Sequence, residues 1–128
     1  MEEGIIDIYE KEDKIKDLVN KLRIFSFDDF IKNSHFYYSI EEKGTDIKLL
    51  RENYTKFELI RLINKRRHKN GKISYDFYYE LEDKTYIVFA VSFEEVKPRM
   101  LNAFHVNRNF KKFKEHLVKA YKINLSIN

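Results

Sequence analysis

"ISYDFYYELEDKTYIVFAVSF", residues 73–93, decides the fold. In its first half Ile73, Tyr75, Phe77, Tyr79 and Leu81 alternate with Ser74, Asp76, Tyr78, Glu80 and Glu82. A period of two is that of a strand with one buried face. The second half, "TYIVFAVSF", is apolar at both parities, which predicts a strand covered on both faces. Only "EDK" separates the two, a tight hairpin connection, so they run antiparallel. The loop "EEVKPR" holds the one proline, and "MLNAFHV", 100–106, reads as a third strand.

Working outward, Asn107 is positioned to cap a last helix. Phe110, Phe113, Leu117 and Tyr121 face inward on it, and Arg108, Lys111, Lys112, Lys119 and Lys122 face outward. At the other end, "IIDIYE", 5–10, is an edge strand or a loosely held start. Ile15, Leu18, Val19 and Leu22 then mark one face of an amphipathic helix. In "FSFDDF", 25–30, Ser26 and Asp29 have the spacing of a capping box, and Phe25 and Phe30 that of a hydrophobic staple. The helix this starts is expected to run from Phe27 to about Lys43, with Gly44 as its left-handed stop. Phe27, Phe30, Ile31, Ser34 and Tyr38 lie on its inner face, with His35 and Tyr37 on the flanks. Thr45–Asp46 opens a short helix through Leu49, Leu50 and Tyr54. Thr55 and Glu58 form a second capping box, for a helix carrying Phe57, Leu59, Ile60, Leu62 and Ile63 that ends in "KRRHK", 65–69, before Asn70–Gly71.

The expected architecture is α+β: N-terminal helices, an antiparallel three- to four-stranded curled sheet with the helices on one face, and a C-terminal helix. Residues 1–128 form a single domain, with 1–25 as an N-terminal extension and 26–122 as the core. A chain of this length buries roughly two thirds of its unfolded surface.

Twenty-five Lys and Arg oppose 21 Asp and Glu, a net charge of +4. The first sixty residues are acid-rich, whereas 61–72 and 108–122 are strongly basic, which suggests one face that attracts polyanions. Much Lys, Glu, Ile and Tyr with few Gly resembles thermophile composition, and an AT-rich genome gives the same bias. The chain has no cysteine, hence no disulfide framework, thiolate zinc site or cysteine nucleophile, in keeping with a reducing cytoplasmic setting. No stretch approaches the ~18 apolar residues of a membrane span. The acidic start lacks the basic region of a secretory signal. The four histidines show no ligand-like pairing, and no glycine-rich phosphate loop occurs, so neither metal nor cofactor is expected.

His, Arg, Lys, Tyr and Asn side chains around a basic sheet suit metal-free RNA cleavage. The 2′-hydroxyl is the nucleophile. The protein need only take its proton, protonate the leaving oxygen and neutralise the phosphorane. Arg66, Arg67 and Lys69 are candidate phosphate contacts, as are Arg108, Lys111 and Lys112 on the last helix. Tyr78, on the polar side of its strand, is a candidate to stack on bases.

A helix-borne histidine in "SHFYYSIEEKGTDIKLLRENYTKFELI" precedes a Lys-Gly by eight and nine residues. A second helix, "KISYDFYYEL", "YIVFAVSF", "LNAFHV" and a last helix follow. Over about residues 27–122 this order resembles the barnase–colicin–RelE group of small nucleases and toxins. The resemblance implies metal-independent endoribonuclease activity, an RNA substrate and an antitoxin-like protein partner. It makes His35, Lys43 and His105 the catalytic candidates. The chain differs from that group in having Lys43 where arginine is commoner and in carrying residues 1–25. Two other readings use the same residues: a non-catalytic nucleic-acid-binding or regulatory module, and an interaction domain that homodimerises through its helices at 11–43.

Overall fold

The computed structural model describes residues 3–127; Met1, Glu2 and Asn128, the ends of the domain expected over 1–128, lie outside the described residues. The chain runs through β1 (Gly4–Tyr9), α1 (Glu12–Leu22), α2 (Ser34–Glu42) and α3 (Ile47–Tyr54). It continues through β2 (Ile60–Arg67), β3 (Ile73–Glu80), β4 (Tyr86–Ser92), β5 (Arg99–Val106) and α4 (Phe110–Ile127). The five strands form one antiparallel sheet in the order β1-β2-β3-β4-β5. The α+β class and the C-terminal helix are as expected, but the sheet has five strands and its first strand precedes the helices.

The two added strands come from "IIDIYE" and from the segment expected to be helical. Thr55–Leu59 supplies only the end of α3 and one 3-10 turn, Phe57–Leu59, after which Ile60–Arg67 is extended. Ile60, Leu62 and Ile63 are apolar on both sides of a strand. Such a short run fits a buried strand as well as a helix, and here β1 and β3 pair with its two edges. Lys65, Arg66 and Arg67 therefore follow strand alternation, with His68 and Lys69 beyond the strand, rather than crowding one helix end.

Helices cover both faces of the sheet, not one. On one face α1, α2 and α3 bury Val19, Leu22, Phe36, Ile40, Leu50 and Tyr54 against Ile63, Phe77, Tyr79, Phe89 and Val91. On the other face α4 lays Phe110, Phe113 and Leu117 over Leu62, Tyr78, Tyr86 and Val88. The Phe113 ring stacks on Tyr86 at 4.8 Å and lies 5.2 Å from Tyr78. Tyr78, expected on a polar outer face, is thus enclosed and cannot present its ring to a base.

The capping box at Ser26 and Asp29 forms, and the Phe25 and Phe30 rings meet edge to face at 5.8 Å. The helix they open is one 3-10 turn, Phe27–Asp29. Phe30 turns extended and Ile31 pairs its main chain with the start of β5, donating to Pro98 O at 2.9 Å and accepting from Met100 N–H at 3.0 Å. The expected continuous helix over 27–43 is therefore split. α2 restarts after Asn33, whose side chain accepts from Phe36 N–H, and ends at Gly44 with φ +65°. At the far end Asn109, not Asn107, caps α4, accepting from Lys112 N–H at 3.0 Å.

Candidate functional site

Register builds the floor of a cleft on the α4 face. Residues directly opposite in neighbouring strands share a face. Leu62, Tyr78, Val88 and Phe104 form one cross-strand row, and Asn64, Asp76, Ala90 and Asn102 form the next. Arg66 and Ser74 follow as a pair. The first row is apolar and α4 covers it at Tyr78. The second and third are polar, with only the Ala90 methyl between Asp76 and Asn102. What results is a cleft of about 440 Å³ between α2 and α4. Its walls add His35 from α2, His68 from beyond β2, and Phe113 from α4.

The polar rows form a connected network. Tyr78 donates its hydroxyl to Asn64 Oδ1 at 2.7 Å, and Asn64 Nδ2 donates to Asp76 Oδ2 at 2.8 Å. Arg66 Nε lies 3.5 Å from the same carboxylate oxygen. His68 Nε2 pairs with Ser74 Oγ at 2.8 Å. Asn64, Ser74 and Asp76 are buried. Among the described residues no buried side-chain nitrogen or oxygen lacks a hydrogen-bond partner, so these polar groups are tolerated inside the sheet. Burial and the neighbouring Asp76 carboxylate push the Tyr78 hydroxyl well above the usual tyrosine range, so it stays protonated and donates. Asp76 holds Arg66, and Ser74 holds one nitrogen of the His68 ring.

Of the catalytic candidates, one lines this cleft and a second contacts a residue of its wall. His35 is exposed on α2 and lines it. Lys43, just past the end of α2, places Nζ 4.0 Å from the centre of the Phe104 ring, so its charge stands at the rim. His105 lies elsewhere. Strict alternation puts it opposite Met100, but a bulge in β5 leaves Leu101 unmatched between Met100, across from Val91, and Asn102, across from Ala90. His105 therefore pairs with Ile87 on the α1–α3 face. There its Nε2 meets Thr85 Oγ1 at 2.9 Å, and Thr85 donates to Asp83 at 2.5 Å. The Thr85 hydroxyl and N–H hold the Asp83 carboxyl below the usual range.

The candidate phosphate contacts also separate. Arg66 faces the cleft; Arg67, the next residue of β2, belongs to the opposite parity together with Lys65 and meets Arg66 only in a second groove, between β1 and α4. Lys69 is exposed in the turn after β2. Arg108, Lys111 and Lys112 are exposed around the first turn of α4. Lys111 lines a different groove, with Lys114, Val118 and Lys119. The structure thus gathers His35, Arg66 and His68, sets Lys43 against Phe104 of the cleft wall, and leaves the other candidate cations outside the cleft. His68, Ser74, Asp76 and Asn64 were not singled out from the sequence. Their signal is the polar parity of β3 alongside the α4 aromatic stripe, which needs a sheet face to cover.

Among the described residues no group of three or more His, Asp or Glu side chains is placed to hold a metal ion. No described helix is long and apolar enough to cross a membrane. No protein-family model, curated protein or solved structure matches the chain.

Proposed function

We propose that this cleft cleaves single RNA chains without a metal ion, by acid–base chemistry at a phosphodiester. The observation that carries the reading is the meeting of two imidazoles and a guanidinium, His35, His68 and Arg66, from separate elements in one cleft with a polar and an apolar end. A nucleotide has the same two-ended character. Its base suits the wall of Val88, Phe104 and Phe113, and its phosphate suits the Arg66 end, with the Lys43 ammonium at the rim. One imidazole takes the proton of the 2′-hydroxyl as that oxygen attacks phosphorus. The other gives a proton to the departing 5′-oxygen, leaving a 2′,3′-cyclic phosphate and a free 5′-hydroxyl. Arg66, steadied by Asp76, stabilises the extra charge of the phosphorane. His68 is bound at Nε2 by Ser74, so its Nδ1 is the nitrogen left for proton transfer.

The test is incubation of a labelled oligoribonucleotide with the purified protein in excess chelator, with the product ends identified. Cyclic phosphate is expected, and a single 2′-deoxy substitution at the cut should abolish it. His35→Ala and His68→Ala should each slow cleavage by ~10²–10⁴-fold. No cleavage, or cleavage indifferent to both substitutions, refutes the reading.

A further inference from the structure

We propose that Tyr38 is the base-stacking platform of this cleft, which makes the preferred ligand a single-stranded rather than a paired RNA; the inference rests on the ribonuclease reading above. Tyr38 was expected on the inner face of its helix. It is instead 64% exposed, whereas Phe36, Ser39 and Ile40 around it are buried. The break at Phe30 causes this. α2 starts afresh at Ser34 and packs along β5, so its inward stripe falls on Phe36 and Ile40. His35 and Tyr38, three apart, are neighbours on one side of α2. The exposed ring thus stands one helical turn from an imidazole of the cleft. Among the described residues no aromatic ring packs on it, whereas Tyr37 beside it packs edge-on against Phe36 at 5.3 Å.

The surrounding charge argues for a base at Tyr38 rather than a phosphate. Glu42 lies four residues on, on the same side of the helix, and repels a phosphodiester there. The cations, Lys43 and Arg66, lie toward the cleft. A strand whose phosphate sits at Arg66 and His35 therefore turns its next base outward over Tyr38. A paired base cannot splay in this way, and any unpaired base can, because each has a π-face.

The test uses a fluorescent oligoribonucleotide with a 2′-deoxy residue at the cut, free or annealed to its complement, and a cleavable version for kinetics. Tyr38→Ala, a surface change that leaves the core intact, is expected to weaken single-strand binding and raise KM about tenfold, with kcat within about twofold of wild type. Tyr38→Phe and Tyr38→Trp should bind as wild type does. Wild-type binding of the duplex should be weaker and indifferent to Tyr38. Binding and KM unchanged in Tyr38→Ala, or duplex bound as tightly as single strand, overturns the platform. Cleavage that ignores Tyr38 removes the platform and keeps the ribonuclease. Single-strand binding that depends on Tyr38 without any cleavage does the reverse, and no RNA binding at all removes both.

Discussion

Replacing Asp76 tests the network beneath the cleft. Its carboxylate accepts from Asn64 Nδ2 at 2.8 Å and faces Arg66 Nε at 3.5 Å. Asn64 is 0% exposed, and its amide takes its partners from within the sheet. Asp76→Ala removes a charge-assisted bond worth ~1.5–3 kcal/mol, and the orphaned amide N–H adds to the loss. The Arg66 ion pair adds little, because the guanidinium side is 38% exposed and screened. The expected destabilisation is about 3 kcal/mol. Asp76→Asn keeps an acceptor for Asn64 and should cost about 1 kcal/mol. Tyr78→Phe deletes the donor at the other end of the same amide and should also cost about 1 kcal/mol. Both act through Asn64, so Asp76→Ala and Tyr78→Phe combined should depart from additivity by roughly 0.5–1.5 kcal/mol. Urea unfolding measures all four, with unchanged m-values as the sign that the native state kept its extent. An Asp76→Ala cost below about 1 kcal/mol, or strict additivity with Tyr78→Phe, would refute the claim that Asn64 is supplied only from within the sheet.

Three further outcomes follow from other parts of the molecule. Gly44→Ala should destabilise by ~1–2 kcal/mol purely through the backbone, since φ is +65° and an added Cβ meets nothing within 4 Å; a smaller cost for Gly44→Asn in the same unfolding assay would separate strain from crowding. Burial raises the hydroxyls of Tyr54, Tyr78 and Tyr79, and Tyr9 is pushed up to about 12. The unfolded chain, with ordinary tyrosines near 10.0, then gives up protons first. Stability should hold below that pH and fall above it; phenolate absorbance from these rings should appear together with loss of native circular dichroism, and their ionisation in a folded chain would contradict the burial. His105→Ala should leave RNA cleavage unchanged while loosening the β3–β4 turn through Thr85 and Asp83; hydrogen exchange at Leu81 and Thr85 reports the second effect, and a loss of activity at native stability would place His105 in the chemistry after all.

The parts of the fold legible in the sequence are those decided by local chemistry. The hairpin of β3 and β4, the caps at Ser26 and Asp46, the stop at Gly44 and the α1 stripe all depend on residues within a turn or two of one another. The segment 56–67 is different. Thr55 and Glu58 carry the spacing of a helix start, and Ile60, Leu62 and Ile63 satisfy either period. What decides it is two free strand edges, those of β1 and β3, whose N–H and C=O groups need partners and lie outside the segment itself. The long helix expected over 27–43 failed for the same reason. The backbone of Ile31 makes hydrogen bonds to Pro98 and Met100, nearly seventy residues away, that a continuous helix would forgo.

The candidate site was legible where it depends on one element and illegible where it depends on register. His35 and Lys43 lie on or beside a single helix; His35 lines the cleft, and Lys43 packs on Phe104 of its wall. His105 depends on the parity of β5, which one unmatched residue, Leu101, reverses. The pairing of His68 with Ser74 depends on how β2 and β3 align across Asn70–Gly71, and a helix at 56–69 hid it. Yet one inference was available. Phe110, Phe113 and Leu117 require an apolar sheet face, and the aromatic residues of 25–57 already supply enough bulk for the face that carries Phe77 and Tyr79. The face of Ser74, Asp76 and Tyr78 must then lie under the last helix. An aspartate and a serine on a face that α4 closes at Tyr78 lie beside a buried layer, where only hydrogen-bonded partners offset the cost of their burial. Polar residues on a parity that another element must cover are therefore a better pointer to a site than the charge runs, which here end up on several different surfaces.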